Sequence, residues 1–115
     1  MPTQPSNNAA TGTSSAFTTS WSPLANGDDG APIRFAQFAD KSVQVSGVFG
    51  VGGSVRFEGS NDGVNYTALT DPQGNPLDFT SAKIKAVTEA TAWVRPRVTG
   101  GDGTTSLTVS VLMKE

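Results

Sequence analysis

Hydrophobic and polar residues alternate in steps of two through most of this chain, the period of a strand with one face buried. Phe17, Thr19 and Trp21 share one side of the run from Ala16 to Trp21. In Lys41 to Val51, Val43, Val45, Phe49 and Val51 fall on one face, with Ser42, Gln44 and Ser46 opposite. Gly47 interrupts that run and predicts a bulge or a close backbone approach. Ser54 to Ser60 places Val55 and Phe57 inward and Arg56 and Glu58 outward, on a solvated face. Asn61-Asp62-Gly63 then turns the chain into a run with Val64, Tyr66 and Ala68 on one side, a hairpin pattern. Leu77 to Thr80 is a short strand, and 81–90 reads as strand or irregular structure, because Ile84 and Val87 make too thin an apolar face for a helix. Thr91 to Val98 is a strand containing Pro96, which belongs at an edge or a bulge because it lacks an N–H. In the last strand Leu107, Val109, Val111 and Met113 share one face.

Between these runs lie turn formers: Asn26-Gly27, Asp29-Gly30, Gly52-Gly53, the loop from Asp71 to Pro76, and Gly100 to Gly103. Ile33 to Phe38 is apolar on both sides and reads as a buried strand or an irregular segment. About seven or eight short strands at near-regular spacing predict an all-β, antiparallel β-sandwich or jelly-roll-like fold.

Composition agrees. A chain of 115 residues has room for one domain, and 13 glycines and 7 prolines with 16% charged residues suit strands and tight turns. Residues 1–27 carry no charged side chain, and 1–15 have almost nothing to bury. The expectation is an N-terminal arm over 1–15, flexible or docked on a partner, followed by one sandwich domain over 16–115. No apolar run approaches the roughly 18 residues of a membrane-spanning helix, and the start lacks the pattern of a secretory signal, so no membrane partner is expected.

Charge and residue inventory narrow the chemistry. The net charge is −2, and the eight Lys and Arg are scattered, so nucleic acid is not an expected partner. There is no cysteine and no histidine, which removes thiolate catalysis, Cys-ligated zinc, disulfides and any Ser-His-Asp arrangement. A pair of carboxylates is formally available among ten Asp and Glu, but Asp28, Asp29, Asp62, Asp71 and Asp102 stand in turns, where Asp bonds its own backbone. Glu58, Ser60 and Asp62 before Gly63 imitate the first half of a calcium loop, yet its last ligand position falls on Leu69. The glycines of Gly50 to Gly53 are followed by neither Lys nor a helix, so they form no phosphate cradle. Neither catalysis, cofactor nor metal is expected.

What remains is adhesion. Trp93, Arg95 and Arg97 alternate against Ala92, Val94 and Val98, and Trp and Arg are enriched at binding hot spots. Trp93 is expected inside, since so small a domain needs its large aromatics in the core. Arg95 and Arg97, together with Phe17 and Trp21 next to the arm, are the candidate interface residues.

The stretch Val55-Arg56-Phe57-Glu58-Gly59-Ser60-Asn61-Asp62-Gly63-Val64-Asn65-Tyr66-Thr67-Ala68-Leu69 is part of a wider resemblance. With the ending Trp93-Val94-Arg95-Pro96-Arg97-Val98-Thr99-Gly100-Gly101-Asp102-Gly103 and Leu107 to Val111, it resembles the small β-sandwich capsid decoration, or cement, proteins of tailed bacteriophages over about residues 41–113. Ser-Asn-Asp-Gly-x-Asn-Tyr also resembles a hairpin of discoidin-like and carbohydrate-binding sandwiches, so it speaks to fold more than to function. The phage resemblance implies a homo-oligomer, dimer or trimer, made in the host cytoplasm and bound to the major capsid protein on the virion's capsid exterior. Its mechanism would be mechanical, with many modest contacts added over a symmetric lattice. The alternatives are a carbohydrate- or receptor-binding module of a tail fibre or surface protein, and another tail or head-completion part of a virion.

Overall fold

The alternating runs pair into two sheets whose apolar sides face each other. The structure, a computed structural model, describes residues 3–10 (the backbone alone at 7–10), 16–34, 38 and 40–114. Its strands are β1 (Thr3–Gln4), β2 (Asn7–Ala10), β3 (Ala16–Leu24), β4 (Asp29–Gly30), β5 (Asp40–Val48), β6 (Ser54–Ser60), β7 (Thr67–Ala68), β8 (Asp78–Phe79), β9 (Lys83–Val87), β10 (Trp93–Gly100) and β11 (Ser106–Lys114). The first sheet runs β1-β4-β10-β6-β7, with β8 also on β6, and the second runs β2-β3-β11-β5-β9. All pairings are antiparallel except β1 with β4. The expected β-sandwich is therefore the fold.

The core lies between the sheets. Trp21, Leu24, Phe57, Phe79, Leu77, Leu107 and Met113 are among its largest fully buried side chains. The odd-numbered residues of β11, from Leu107 to Met113, are all buried, as their alternation predicts. In β5, Val43 and Val45 are buried, but Val51 is 81% exposed because the strand ends at Val48 and the turn carries it outward. Gly47 is a close approach rather than a bulge of β5. It has φ +110°, and a Cβ there would lie 2.4 Å from the Ser106 carbonyl oxygen, while its register with β11 is unbroken.

Pro96 sits inside the first sheet, not at its edge. The N–H groups of Val94 and Val98 point sideways to the carbonyls of Ile33 and Asp28. Alternation puts the missing donor of Pro96 on that same side, in the gap between those two bonds, where the facing chain advances four residues (Asp29 to Ile33) against three on β10 (Arg97 to Val94), a bulge-like irregularity of the kind expected at a proline. The ring fills the gap against Gly30, where a Cβ would come within 2.6 Å of the proline Cδ. Ile33 makes only an isolated bridge to Val94, so its segment is irregular; Phe35 lies outside the described residues.

The first residues depart from the arm expected over 1–15. Thr3–Gln4 pairs with β4 and Asn7–Ala10 with β3, so the segment is tied to one sheet and then to the other of its own chain. Gln4 Nε2 donates to Asp28 Oδ2 (3.0 Å), and the Ala31 N–H donates to the Gln4 carbonyl (2.7 Å). The reason is that ladder bonds use backbone groups every residue carries, so a stretch poor in apolar side chains can still cover a sheet edge. Residues 11–15 of the expected arm lie outside the described residues.

Candidate interface on the outer face of the first sheet

Strand β10 buries Val94, Pro96 and Val98, which leaves Trp93, Arg95 and Arg97 on the outer face. Trp93 is thus not in the core, contrary to expectation: three residues of the opposite parity already fill the inner side, and the backbone allows only one set inward. The indole is half-buried on the surface, with the Arg34 guanidinium 5.3 Å from its ring centroid. A Cβ at Gly63 would lie 3.2 Å from its Nε1, so the loop after β6 leans on it.

Register then decides the electrostatics. Arg95 faces Glu58 across the strand pair, and Arg97 faces Arg56. Two like charges opposite each other repel, and the sheet separates them by giving each its own carboxylate. Arg56 Nε donates to Asp78 Oδ1 (2.8 Å), its partner in register on β8. Arg97 Nε donates diagonally to Glu58 Oε2 (3.2 Å), and Arg95 Nε to Glu58 Oε1 (3.1 Å). Arg95 Nη1 also lies 3.7 Å from Asp29 Oδ2 on β4. Glu58, expected on a solvated face, has a side chain only 4% exposed because two arginines cover it; that of Arg97 is 36% exposed.

Tyr66 forms the floor beside this network. The Arg95 guanidinium lies 4.0 Å from its ring centroid, a cation–π contact made while the same group holds Glu58. The Tyr66 hydroxyl is buried without a hydrogen-bond partner among the described residues. Burial raises its pKa, with the nearby Arg95 charge acting the other way.

The loop carrying Tyr66 is organised by Asp62, whose Oδ1 accepts from the N–H groups of Val64 and Asn65 (2.8 Å each) and from Ser60 Oγ (2.8 Å). These bonds, that from the Asn65 N–H foremost, hold the carboxyl far below the usual range. Asp71 and Asp102 do the same in their loops: Asp71 accepts from the Asn75 and Gln73 N–H groups, and Asp102 from Thr104 and Val51. The expected role of turn aspartates is thus met at these three and at Asp28, which accepts from the Ala25 N–H, but not at Asp29, which lies in β4 and accepts from Thr3 Oγ1. No group of three or more potential ligands for a metal ion occurs among the described residues.

The four residues expected at an interface do not come together. Arg95 and Arg97 share the outer face of the first sheet, whereas Phe17 and Trp21 belong to the second. Trp21 is fully buried and its Nε1 donates to the Ala31 carbonyl (3.0 Å), so it offers nothing to a partner. Phe17 is half-buried, edge-to-face on Phe38 at 5.5 Å. Glu58, Tyr66, Asp29 and Arg34 were missed. The signal for Glu58 was the outward parity of β6, but reading it needs the register with β10.

The fold and this face define a small two-sheet β-sandwich with an arginine- and tryptophan-bearing outer surface. The same fold occurs in the crystal structure of the SPBc2 prophage-derived protein YomS. The two match with a TM-score of 0.64 over 87% of this chain and 95% of that one, at 16% sequence identity. No protein-family model and no curated protein sequence matches the chain.

Proposed function

We propose that this chain is a non-enzymatic structural protein of a phage virion, which decorates and stabilises the capsid by binding the outer surface of the major capsid protein shell. The observation that carries this reading is the likeness in fold to a prophage-derived protein over nearly the whole of both chains. The outer face of the first sheet supports it: Trp93 and Arg97 are hot-spot residue types held in place before any partner arrives, which lowers the ordering cost of binding. Many such contacts over a symmetric shell add up even when each is modest.

The test uses purified particles of the phage or prophage that carries the gene. The chain is expected in those particles by mass spectrometry at a copy number matching the shell lattice. Added to particles that lack it, it should bind saturably and raise the temperature at which they open, and Arg97→Glu should weaken that binding. Absence from the particles together with no binding overturns the reading. A few copies per particle points instead to a tail or head-completion part.

One observation favours a carbohydrate- or receptor-binding module as a second reading: Trp93 stands on an outer sheet face with Tyr66 in the neighbouring loop, and aromatic rings so placed can receive a sugar. Against it, each ring is already approached by a guanidinium, from Arg34 and Arg95. Clear hits on a glycan array would decide for this second reading.

A further inference from the structure

The outer face of the second sheet is the chemical opposite of the first. The outward positions of β3, β11, β5 and β9 are mainly Ser, Thr, Gln and Ala, with Ile84, Leu112 and Val48 exposed among them. Among the described residues the face carries one acid and one base, Asp40 and Lys114, and these pair with each other at 3.8 Å at one end. The other sheet's outer face carries four arginines and three carboxylates among its described residues: Arg34, Arg56, Arg95 and Arg97 with Asp29, Glu58 and Asp78. A neutral face of short side chains is cheap to desolvate and lets a second sheet approach to the usual spacing of about 10 Å.

We propose that this face is a two-fold interface between two copies of the chain, packed sheet on sheet. A two-fold contact places a patch on itself, so any net charge would repel its own copy, and this patch has none. The face also has relief to pack into: a groove of about 240 Å³ is lined by Thr18, Ser42, Gln44, Ser110 and Leu112, with Ile84, 64% exposed, as its apolar wall on β9. Strands of up to nine residues make the face about 30 Å long and about 20 Å wide, roughly 600 Å² per copy, near the lower end for a stable pair. The proposal assigns a face to the homo-oligomer that the phage resemblance implies, and leaves the first sheet's outer face free.

The test is sedimentation equilibrium of the full chain from about 1 to 200 μM, without capsids. A monomer–dimer equilibrium with a Kd in the micromolar range is expected for an interface of this size. Ser110→Glu, at the middle of the central strand, and Leu112→Glu should each weaken it about 100-fold or more, because each buries like charges against each other. Both side chains face outward, so far-UV circular dichroism should not change. Val64→Glu, in an exposed loop of the first sheet, should dimerise like the parent. A parent chain that stays monomeric throughout, or folded Ser110→Glu and Leu112→Glu variants that dimerise as it does, overturns the proposal. A monomeric parent whose Ser110→Glu variant fails to bind in the separate particle assay also overturns it and makes the shell the occupant of this face. Because the measurement contains no capsid, its failure leaves the decoration reading standing.

Discussion

Glu58 and Arg95 face each other across β6 and β10, and the carboxylate that meets Arg95 at 3.1 Å also holds Arg97 at 3.2 Å. One buried acid thus fixes two outward bases, and the shape of the candidate interface depends on it.

Glu58→Gln should lower unfolding stability by about 2 kcal/mol, because it leaves two partly covered guanidiniums short of a counter-charge. Asp78→Asn, which removes the partner of Arg56 from a pair 35% and 39% exposed, should cost no more than about 0.5 kcal/mol. Urea titrations of the two variants make the comparison; equal costs would show that Glu58 is not the keystone of the face.

Trp21 and Trp93 should respond in opposite ways. Trp21→Ala empties the core and strips the Ala31 carbonyl of its donor, at about 4 kcal/mol or loss of folding. Trp93→Ala removes a half-buried surface ring and should cost less than half as much, while weakening partner binding. Thermal melts paired with a binding assay separate the two.

Gly47 and Gly52 both have positive φ, +110° and +71°. Only at Gly47 would a Cβ collide with a neighbouring strand; at Gly52 nothing lies within 4 Å. Gly52→Ala should cost about 1 kcal/mol from backbone strain alone, and Gly47→Ala clearly more, about 3 kcal/mol. The difference, read from denaturant midpoints, isolates the contact with Ser106.

Acid should unfold the protein through its loops. Asp71 and Asp102 are held below their ordinary value of 3.8, Asp71 mainly by the Asn75 N–H and Asp102 mainly by the Thr104 hydroxyl. Glu89 is held below 4.5 by Thr70. A carboxyl whose pKa is lower in the folded than in the unfolded state stabilises the fold above its unfolded value, and that contribution fades as pH falls through the folded one. The melting temperature should therefore be flat near neutrality and fall from about pH 4.5 downward. Asp102→Asn should melt lower than the parent at pH 7, with the gap closing toward pH 2, as differential scanning calorimetry across pH would show.

Much of the fold was legible because its signals are local. The alternation of β11 named its buried face residue by residue, and Asn61-Asp62-Gly63 marked the turn that Asp62 organises. The strands β8 and β9 fell where short runs had been read. Trp93 was misplaced because parity sorts residues into two sets without saying which set is inside, and the large ring outweighed the smaller Val94, Pro96 and Val98. Pro96 marked an irregularity in the pairing of its strand, but the residues that face it there, Ile33 and Asp28, lie more than sixty positions away in the chain and could not be named from it. The pairing of β1 and β2 with their own sheets left no side-chain pattern to read, since backbone groups make it.

The amino-acid order by itself determined the longer strands, most of the turns and the lack of histidine and cysteine chemistry, because each depends on a residue and its near neighbours; the short strands β1, β2 and β4 it did not. Tertiary structure alone decided that Glu58 stands between two arginines, that Trp93 is outside and Trp21 inside, and that one outer face is charged while the other is neutral. Those outcomes depend on which strands lie side by side and in what register, and register is set by the packing of the whole sandwich rather than by any single segment.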